Sequence, residues 1–128
     1  RIAVADDEKD IQAYYQKILP RLGYAVVGVA ENGQNLVNLC LEKRPELVIS
    51  DIRMPIMDGI EAAHQLEGLF PVPIILVSAY GDSVKKCADL DHVLGFLVKP
   101  IKQMDLPPAI SFAMSQFQLR NGTAKMMK

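Results

Sequence analysis

Side chains that could carry out chemistry stand at the ends of four separate apolar runs in this 128-residue chain. Asp6 and Asp7 follow the first run, and Asp51 follows the third. Ser78 ends the fourth run, and Lys99 directly follows the fifth. The carboxyl ends of parallel strands meet at one edge of a sheet, where such folds bind ligands. If the runs are parallel strands, these five side chains share one site.

Three carboxylates crowded at one edge raise one another's proton affinity unless a hard cation with oxygen ligands neutralises them. Mg²⁺ suits Asp6, Asp7 and Asp51, and it would neutralise phosphoryl oxygens while Asp51 attacks phosphorus in line. Lys99 can hold another phosphoryl oxygen, and the Ser78 hydroxyl can donate to a third. The spacing therefore predicts phosphoryl transfer with Asp51 as the nucleophile.

Each of these residues also has an ordinary explanation when it is taken alone. An acidic pair such as Asp6-Asp7 often caps the first turn of a helix, and Lys99 could be a solvated surface lysine. Their common edge favours the functional interpretation, because unrelated surface residues would not all follow strands.

The elements that must position these residues are five short apolar runs with helical segments between them. The runs are continuous rather than alternating, as in strands that are buried on both faces. They cover residues 2–5, 25–30, 47–50, 74–78 and 96–98. The spacing of apolar residues between the runs is typical of amphipathic helices, most clearly over 11–22. We predict an α/β fold, a doubly wound five-stranded parallel sheet with five helices.

Composition limits the partners of this segment. The formal net charge of -1 and the pI near 6.1 leave no excess of basic residues for a phosphate backbone. No apolar run is long enough to cross a bilayer and no signal segment opens the chain, so we expect a cytoplasmic protein with no membrane partner. Cys40 and Cys87 lack neighbouring metal-ligating histidines, which favours reduced structural cysteines.

The matching motifs occur as a set. They are Asp6-Asp7, then Asp51-Ile52-Arg53-Met54-Pro55 with Asp58-Gly59, then Ser78-Ala79, and finally Lys99-Pro100. With them the chain resembles the receiver family of bacterial two-component response regulators, a flavodoxin-like fold, from about Arg1 to Phe117. We therefore expect a receiver domain over 1–117. Residues 118–128 are expected to be the start of a linker, or an extended last helix, toward an output domain outside this segment.

The resemblance assigns roles to individual residues. It makes Asp51 the acceptor of a phosphoryl group from a sensor histidine kinase. It implies Asp7 and the Arg53 backbone carbonyl as Mg²⁺ ligands, with Asp6 holding the metal through water. It further implies a cis bond between Lys99 and Pro100.

The resemblance also implies a switch and an output. Phe96 matches an aromatic position whose ring turns inward as Ser78 is drawn toward the phosphoryl group. The stretches around Asp51 and after Leu106 look most like regulators with an RNA-binding antiterminator domain, and a DNA-binding output or a stand-alone receiver remains open. A phosphorylation-dependent homodimer is a further expectation.

Two further features concern the turn before the last strand and the lifetime of the phosphorylated state. His92 stands where the family usually has glycine, so the turn before the last strand could be shaped differently if it needs a positive φ. Arg53 and Tyr80, two positions beyond Asp51 and Ser78, could cover the approach of water to phosphorus and prolong the phosphorylated state.

We expect a switch that is not an enzyme and that promotes only its own phosphorylation and dephosphorylation. Two other function classes compete with this interpretation. A Mg²⁺-dependent phosphatase similar to haloacid dehalogenases also uses an aspartyl nucleophile, but it needs an acid two residues later, where this chain has Arg53. A flavodoxin-like binding module without phosphorylation would not require Lys99 or the acidic cluster.

Overall fold

The computed structural model describes residues 1–79 and 90–126, with side chains as far as Arg120. Strands and helices alternate along the chain as the apolar pattern predicts. The strands are β1 (Ile2–Ala5), β2 (Val26–Ala30), β3 (Leu47–Asp51), β4 (Ile74–Ser78) and β5 (Val93–Val98). The helices are α1 (Lys9–Arg21), α2 (Gly33–Lys43), α3 (Gly59–Leu69) and α4 (Leu106–Met126), with a short 3-10 turn at Gln103–Asp105.

All five strands pair in parallel in the order β2-β1-β3-β4-β5. Every residue of β1, β3 and β4 is buried. Continuous apolar runs are stable in such strands because helices cover both faces of the sheet. The predicted fold class is therefore confirmed, and the fifth predicted helix would fall on residues 80–89, outside the described part of the chain.

Two apolar layers enclose the sheet. α2 and α3 pack on one face, against side chains that include Ala3, Ala5 and Val48. α1 and α4 pack on the other face, against Val4 and Ile49 among others. Successive side chains of a strand point to opposite faces, so each strand contributes to both layers. Because β1 leads to α1 on one face and β3 leads to α3 on the other, a crevice opens between their carboxyl ends.

Side chains at the helix starts fix where α2 and α3 begin. The side chain of Asn32 accepts a hydrogen bond from the Asn35 amide. Asp58 accepts one from the Glu61 amide, and the Glu61 carboxylate accepts one from the Asp58 amide in return. These caps satisfy backbone N–H groups that have no partner within the helix.

Two elements near the carboxyl end differ from the expected bounds. β5 begins at Val93 rather than at Phe96, since Gly95 interrupts the apolar run in sequence but pairs with Ile75 in the sheet. α4 continues through the segment after Phe117 as far as Met126. The extended last helix is thus the alternative that describes residues 118–126, and the boundary of the domain remains a prediction.

His92 occupies its turn without the backbone conformation that glycine would favour. Among the described non-glycine residues only Arg44 and Ile56 have a positive φ. The His92 ring packs on Phe117 of α4, with the ring centroids 5.3 Å apart. The turn is therefore compatible with a histidine, whose ring adds a contact to α4. No helix in the described ranges is long and apolar enough to cross a membrane.

Candidate phosphoacceptor site

The predicted site residues converge at the carboxyl ends of the strands. Asp6 and Asp7 follow β1, and Asp51 is the last residue of β3. One oxygen from each of these three carboxylates lies within 4.8 Å of the other two. Asp6 and Asp51 are 1% and 6% exposed, whereas Asp7 is on the surface. Two buried acids and one exposed acid therefore face the same crevice.

Lys99 joins the two buried acids. Its Nζ lies 2.9 Å from Oδ2 of Asp51 and 3.2 Å from Oδ2 of Asp6. The Lys99-Pro100 peptide bond is cis, as expected from the resemblance. The Lys99 amide donates to the carbonyl of Ser78, which anchors the end of β5 to the end of β4. One ammonium thus compensates part of the charge of two carboxylates taken out of water.

Burial dominates the proton affinity of the phosphoacceptor candidate. It raises the pKa of Asp51, and the hydrogen bond and charge of Lys99 oppose the increase. Asp6 adds a like charge that raises this pKa further, while the Arg53 amide donates to the carboxyl and lowers it. Burial lowers the pKa of Lys99, but Asp51 and Asp6 outweigh it, so the pKa of Lys99 is raised and its ammonium form is favoured.

The start of α1 holds Asp6 in place. The Glu8 amide donates to Oδ1 of Asp6 at 2.8 Å, and Nε2 of Gln12 donates to the Asp6 carbonyl at 2.6 Å. Gln12 escaped the sequence reasoning because a glutamine in the first turns of an amphipathic helix is ordinarily a solvated residue.

The connection from β3 to α3 packs closely on the backbone of Asp51. The Ser50 hydroxyl donates to the Asp51 carbonyl at 2.9 Å, and the Gly59 amide donates to the Ile52 carbonyl at 2.8 Å. A Cβ atom on Gly59 would lie only 2.1 Å from the Asp51 carbonyl oxygen. Glycine is therefore required at position 59 because the backbone of Asp51 lies too close for a side chain. The Asp58-Gly59 sequence indicated only a turn and did not reveal this reason.

The remaining predicted site residues differ in burial, and one of them lies outside the described part of the chain. Ser78 is buried at the end of β4. Phe96 lies on β5 with 44% of its surface exposed, which is compatible with an outward ring. The Arg53 amide reaches Asp51, while the metal-binding role of the Arg53 carbonyl stays a prediction. Tyr80 lies outside the described residues. The joint effect of Arg53 and Tyr80 on the lifetime of the phosphoryl group therefore stays a prediction.

The donor set fits a hard divalent cation. Carboxylate oxygens are the ligands that Mg²⁺ prefers, and Mg²⁺ keeps several waters when one or two carboxylates hold it. Asp6, Asp7 and Asp51 offer three such oxygens close together, with one acid open to solvent. Asp51 lies beside this candidate cation site and beside Lys99. Together they offer what in-line phosphoryl transfer needs, a nucleophile and positive charge around the phosphoryl oxygens.

Comparison with known proteins agrees with this geometry. The chain matches the response regulator receiver domain over residues 2–111. It is 38% identical over 120 residues to the transcriptional regulatory protein PdtaR of Mycobacterium tuberculosis (strain ATCC 25618 / H37Rv), covering 92% of this chain and 58% of that protein. It is 31% identical over 109 residues to the transcriptional regulatory protein HptR of Staphylococcus aureus (strain N315), covering 83% of this chain and 43% of that protein.

Solved structures show the same architecture. The signal receiver domain of a modulated diguanylate cyclase from Desulfovibrio desulfuricans G20 superposes with a TM-score of 0.82 at 27% identity, covering 93% of this chain and 96% of that one. The chain spans 58% and 43% of the two transcriptional regulators, so their whole-protein activities are not transferred by the match. The sheet order, the acidic crevice and the match over residues 2–111 agree, and the chain belongs to the response regulator receiver domain family.

Proposed function

We propose that this domain is a phosphorylation-dependent switch that accepts a phosphoryl group on Asp51 from a sensor histidine kinase, with Mg²⁺ held by Asp6, Asp7, Asp51 and the Arg53 carbonyl. The observation that carries the proposal is the position of Lys99, whose Nζ lies within 3.2 Å of both buried acids. An ammonium shared by two buried carboxylates at the crevice of a parallel sheet supports a site for a phosphoryl group better than a purely structural ion pair.

Each side chain has a separate task in this scheme. A carboxylate oxygen of Asp51 attacks phosphorus while the P–N bond to the donor histidine breaks and the imidazole leaves on the opposite side. Lys99 moves from the carboxylates to a phosphoryl oxygen as charge develops there. Bound Mg²⁺ supplies charge neutralisation for the phosphoryl oxygens. The Ser78 hydroxyl donates to another oxygen, and Phe96, now 44% exposed, turns inward as Ser78 moves. The switch is thus a shift in population between two arrangements of β4 and β5.

The proposal is tested by intact mass after incubation with Mg²⁺ and acetyl phosphate. One phosphoryl group should be added to the parent, and none to Asp51→Asn or to the parent in excess chelator. Asp58→Asn is the matched control, because it removes a carboxylate from the same connection while an asparagine still caps α3. Full phosphorylation of Asp51→Asn would contradict the site, and repeated release of phosphate without a stable adduct would favour a phosphatase.

A groove beside Lys99 supports a macromolecular phosphoryl donor. It has a volume of about 470 Å³ and is lined by Asp10, Ile11, Tyr14, Lys99, Pro100 and Ile101. A donor protein must bring its phosphohistidine to Asp51, so its docking surface must border the site. Ile11→Ala should slow transfer from the kinase about tenfold, as expected when an interface contact is truncated, and should leave phosphorylation by acetyl phosphate unchanged. If the kinase transferred its phosphoryl group to the variant and to the parent at equal rates, this groove would be excluded as the docking surface.

Regulation of transcription through an RNA- or DNA-binding output domain is the proposed role of the longer protein. The relatives named above are called transcriptional regulatory proteins and are longer than this chain. A phosphorylation-dependent homodimer is the expected assembly. Both are tested on the full gene product, by comparing its nucleic-acid affinity and its sedimentation before and after phosphorylation; no change in either would refute them.

A further inference from the structure

Tyr15 brings a polar atom into the apolar layer beneath the site. The residue lies on α1 and is completely buried, and its hydroxyl has no hydrogen-bond partner within the described part of the chain. Its ring packs in the layer between α1, α4 and the sheet. A buried hydroxyl without a partner loses its bonds to water with no compensation, and such groups call for an explanation.

The alternation of side chains along the strands places Tyr15 and the buried carboxylates on the same face of the sheet. Val4 and Ile49 belong to the same apolar layer as Tyr15. Asp51 comes two residues after Ile49 on β3. Asp6 comes two residues after Val4, one position beyond β1, where its amide still donates to the Ala30 carbonyl of β2. Both carboxylates therefore extend from the same face of the sheet as Val4 and Ile49. Burial, followed by the charges of Asp6 and Asp51, raises the pKa of Tyr15, which favours the protonated hydroxyl.

One buried oxygen of Asp6 forms an ion pair but no hydrogen bond within the described part of the chain. Its Oδ1 accepts from the Glu8 amide, whereas its buried Oδ2 forms an ion pair with Lys99 but accepts no hydrogen bond of acceptable geometry from a described residue. A buried hydroxyl without a partner and a buried carboxylate oxygen held only by its ion pair with Lys99 therefore lie on the same face of the sheet.

We propose that Tyr15 is a positioning residue of the phosphoacceptor site, whose hydroxyl donates to a buried water that in turn donates to Oδ2 of Asp6. The inference deepens the proposed function and rests on it for the metal-binding role of Asp6. With this bond the Asp6 carboxylate keeps its orientation when Lys99 leaves it for a phosphoryl oxygen. Residues that hydrogen-bond to metal-binding side chains in this way tune metal affinity, and their loss costs about 10- to 100-fold.

The first test is a double-mutant cycle on the metal-free protein, in which stability is measured by urea unfolding. Tyr15→Phe keeps the ring and removes only the hydroxyl. It should raise the unfolding equilibrium constant about tenfold, the effect of losing a buried hydrogen bond. In an Asp6→Asn background the same change should have an effect several times smaller. Tyr14→Phe, one position earlier on α1 and only partly buried, is the control and should change the constant less than about twofold.

The second test is direct titration of Mg²⁺ by calorimetry, without a phosphodonor. Tyr15→Phe should weaken Mg²⁺ binding about tenfold relative to the parent and to Tyr14→Phe. A Tyr15→Phe variant that is as stable as the parent or more stable would overturn the hydrogen bond, as would an equal loss in the Asp6→Asn background. Unchanged Mg²⁺ affinity would overturn the positioning role. None of these measurements depends on phosphorylation, so failure of the proposed function on Asp51 would be seen separately.

Discussion

Gly59 packs against the backbone of the phosphoacceptor, and Gly59→Ala tests how the β3–α3 connection positions Asp51. Alanine would place a Cβ atom 2.1 Å from the Asp51 carbonyl oxygen and 3.1 Å from Oγ of Ser50. Heavy atoms that are not bonded attract each other best at about 3.5 to 4.0 Å. The first neighbour is backbone rather than a flexible side-chain end, so either β3 or the start of α3 must move by about 1 Å or more to restore ordinary contact.

Two effects of different size follow from this displacement. Overpacking of a buried site typically costs about 1 to 3 kcal/mol, and the hydrogen bond from the Gly59 amide to the Ile52 carbonyl is strained in addition. We expect a loss of about 3 kcal/mol in the free energy of unfolding. A misplacement of about 1 Å in a reacting group can slow chemistry about 100-fold, so phosphorylation of Asp51 should slow by at least tenfold.

The assays are urea unfolding and the initial rate of phosphorylation by acetyl phosphate at saturating Mg²⁺. Gly68→Ala is the matched control, because it is the same substitution in the same helix and its Cβ would meet no atom within 4 Å. That control should be more stable by about 0.5 to 1 kcal/mol, since alanine favours a helix interior over glycine, and should phosphorylate at the parental rate. If Gly59→Ala matches the parent in both assays, the close approach does not hold Asp51 in place.

Two further predictions concern residues away from the chemistry. Ile56 has a φ of 70° and is 84% exposed, and it is the middle residue of a tight turn in which the Met57 amide donates to the Pro55 carbonyl. A β-branched residue in that conformation is strained by about 1 to 3 kcal/mol. Ile56→Gly should therefore raise the free energy of unfolding by about 1 kcal/mol, after subtraction of the entropic cost of glycine. A variant that unfolds at a lower urea concentration than the parent would contradict the strain. Burial raises the pKa of Cys40 from 9.0 to about 12. Between these pH values the thiol ionises in the unfolded chain but not in the folded one. The contribution of Cys40 to the free energy of unfolding is therefore fully present below pH 9 and is lost as the pH rises toward 12. The free energy of unfolding of the parent should therefore fall more steeply above pH 9 than that of Cys40→Ala, by about 1.4 kcal/mol per pH unit, and parallel pH profiles in urea would show that Cys40 does not titrate in this way.

Local patterns along the chain were sufficient for the fold and for the list of acids. Continuous apolar runs such as residues 47–50 are stable only when both faces of a strand are covered, so they predict a parallel sheet with helices on both sides. The position of Asp51 directly after such a run, and of Asp6-Asp7 after another, then predicts a shared acidic edge. These conclusions need only the period of a strand and the geometry of parallel pairing, which are encoded locally.

Contacts between distant segments could not be predicted in this way. Lys99 was expected near a phosphoryl oxygen, but only the structure shows its ammonium shared between Asp6 and Asp51, since that depends on where three strand ends lie in space. Likewise, Gly95 interrupts an apolar run and hides the start of β5, because the pairing with β4 that compensates for it involves a segment 20 residues away.

The roles of Gly59 and Tyr15 show the same limit most clearly. In sequence, Gly59 indicates a turn and Tyr15 is one more apolar position on the inner face of α1. Only the tertiary packing places the Gly59 Cα against the Asp51 carbonyl and the Tyr15 hydroxyl in a layer without a partner. The amino-acid sequence determined by itself which residues lie at the edge of the sheet, because that follows from local periodicity, whereas the tertiary structure decided which atoms meet there, because that depends on packing between elements far apart in the chain.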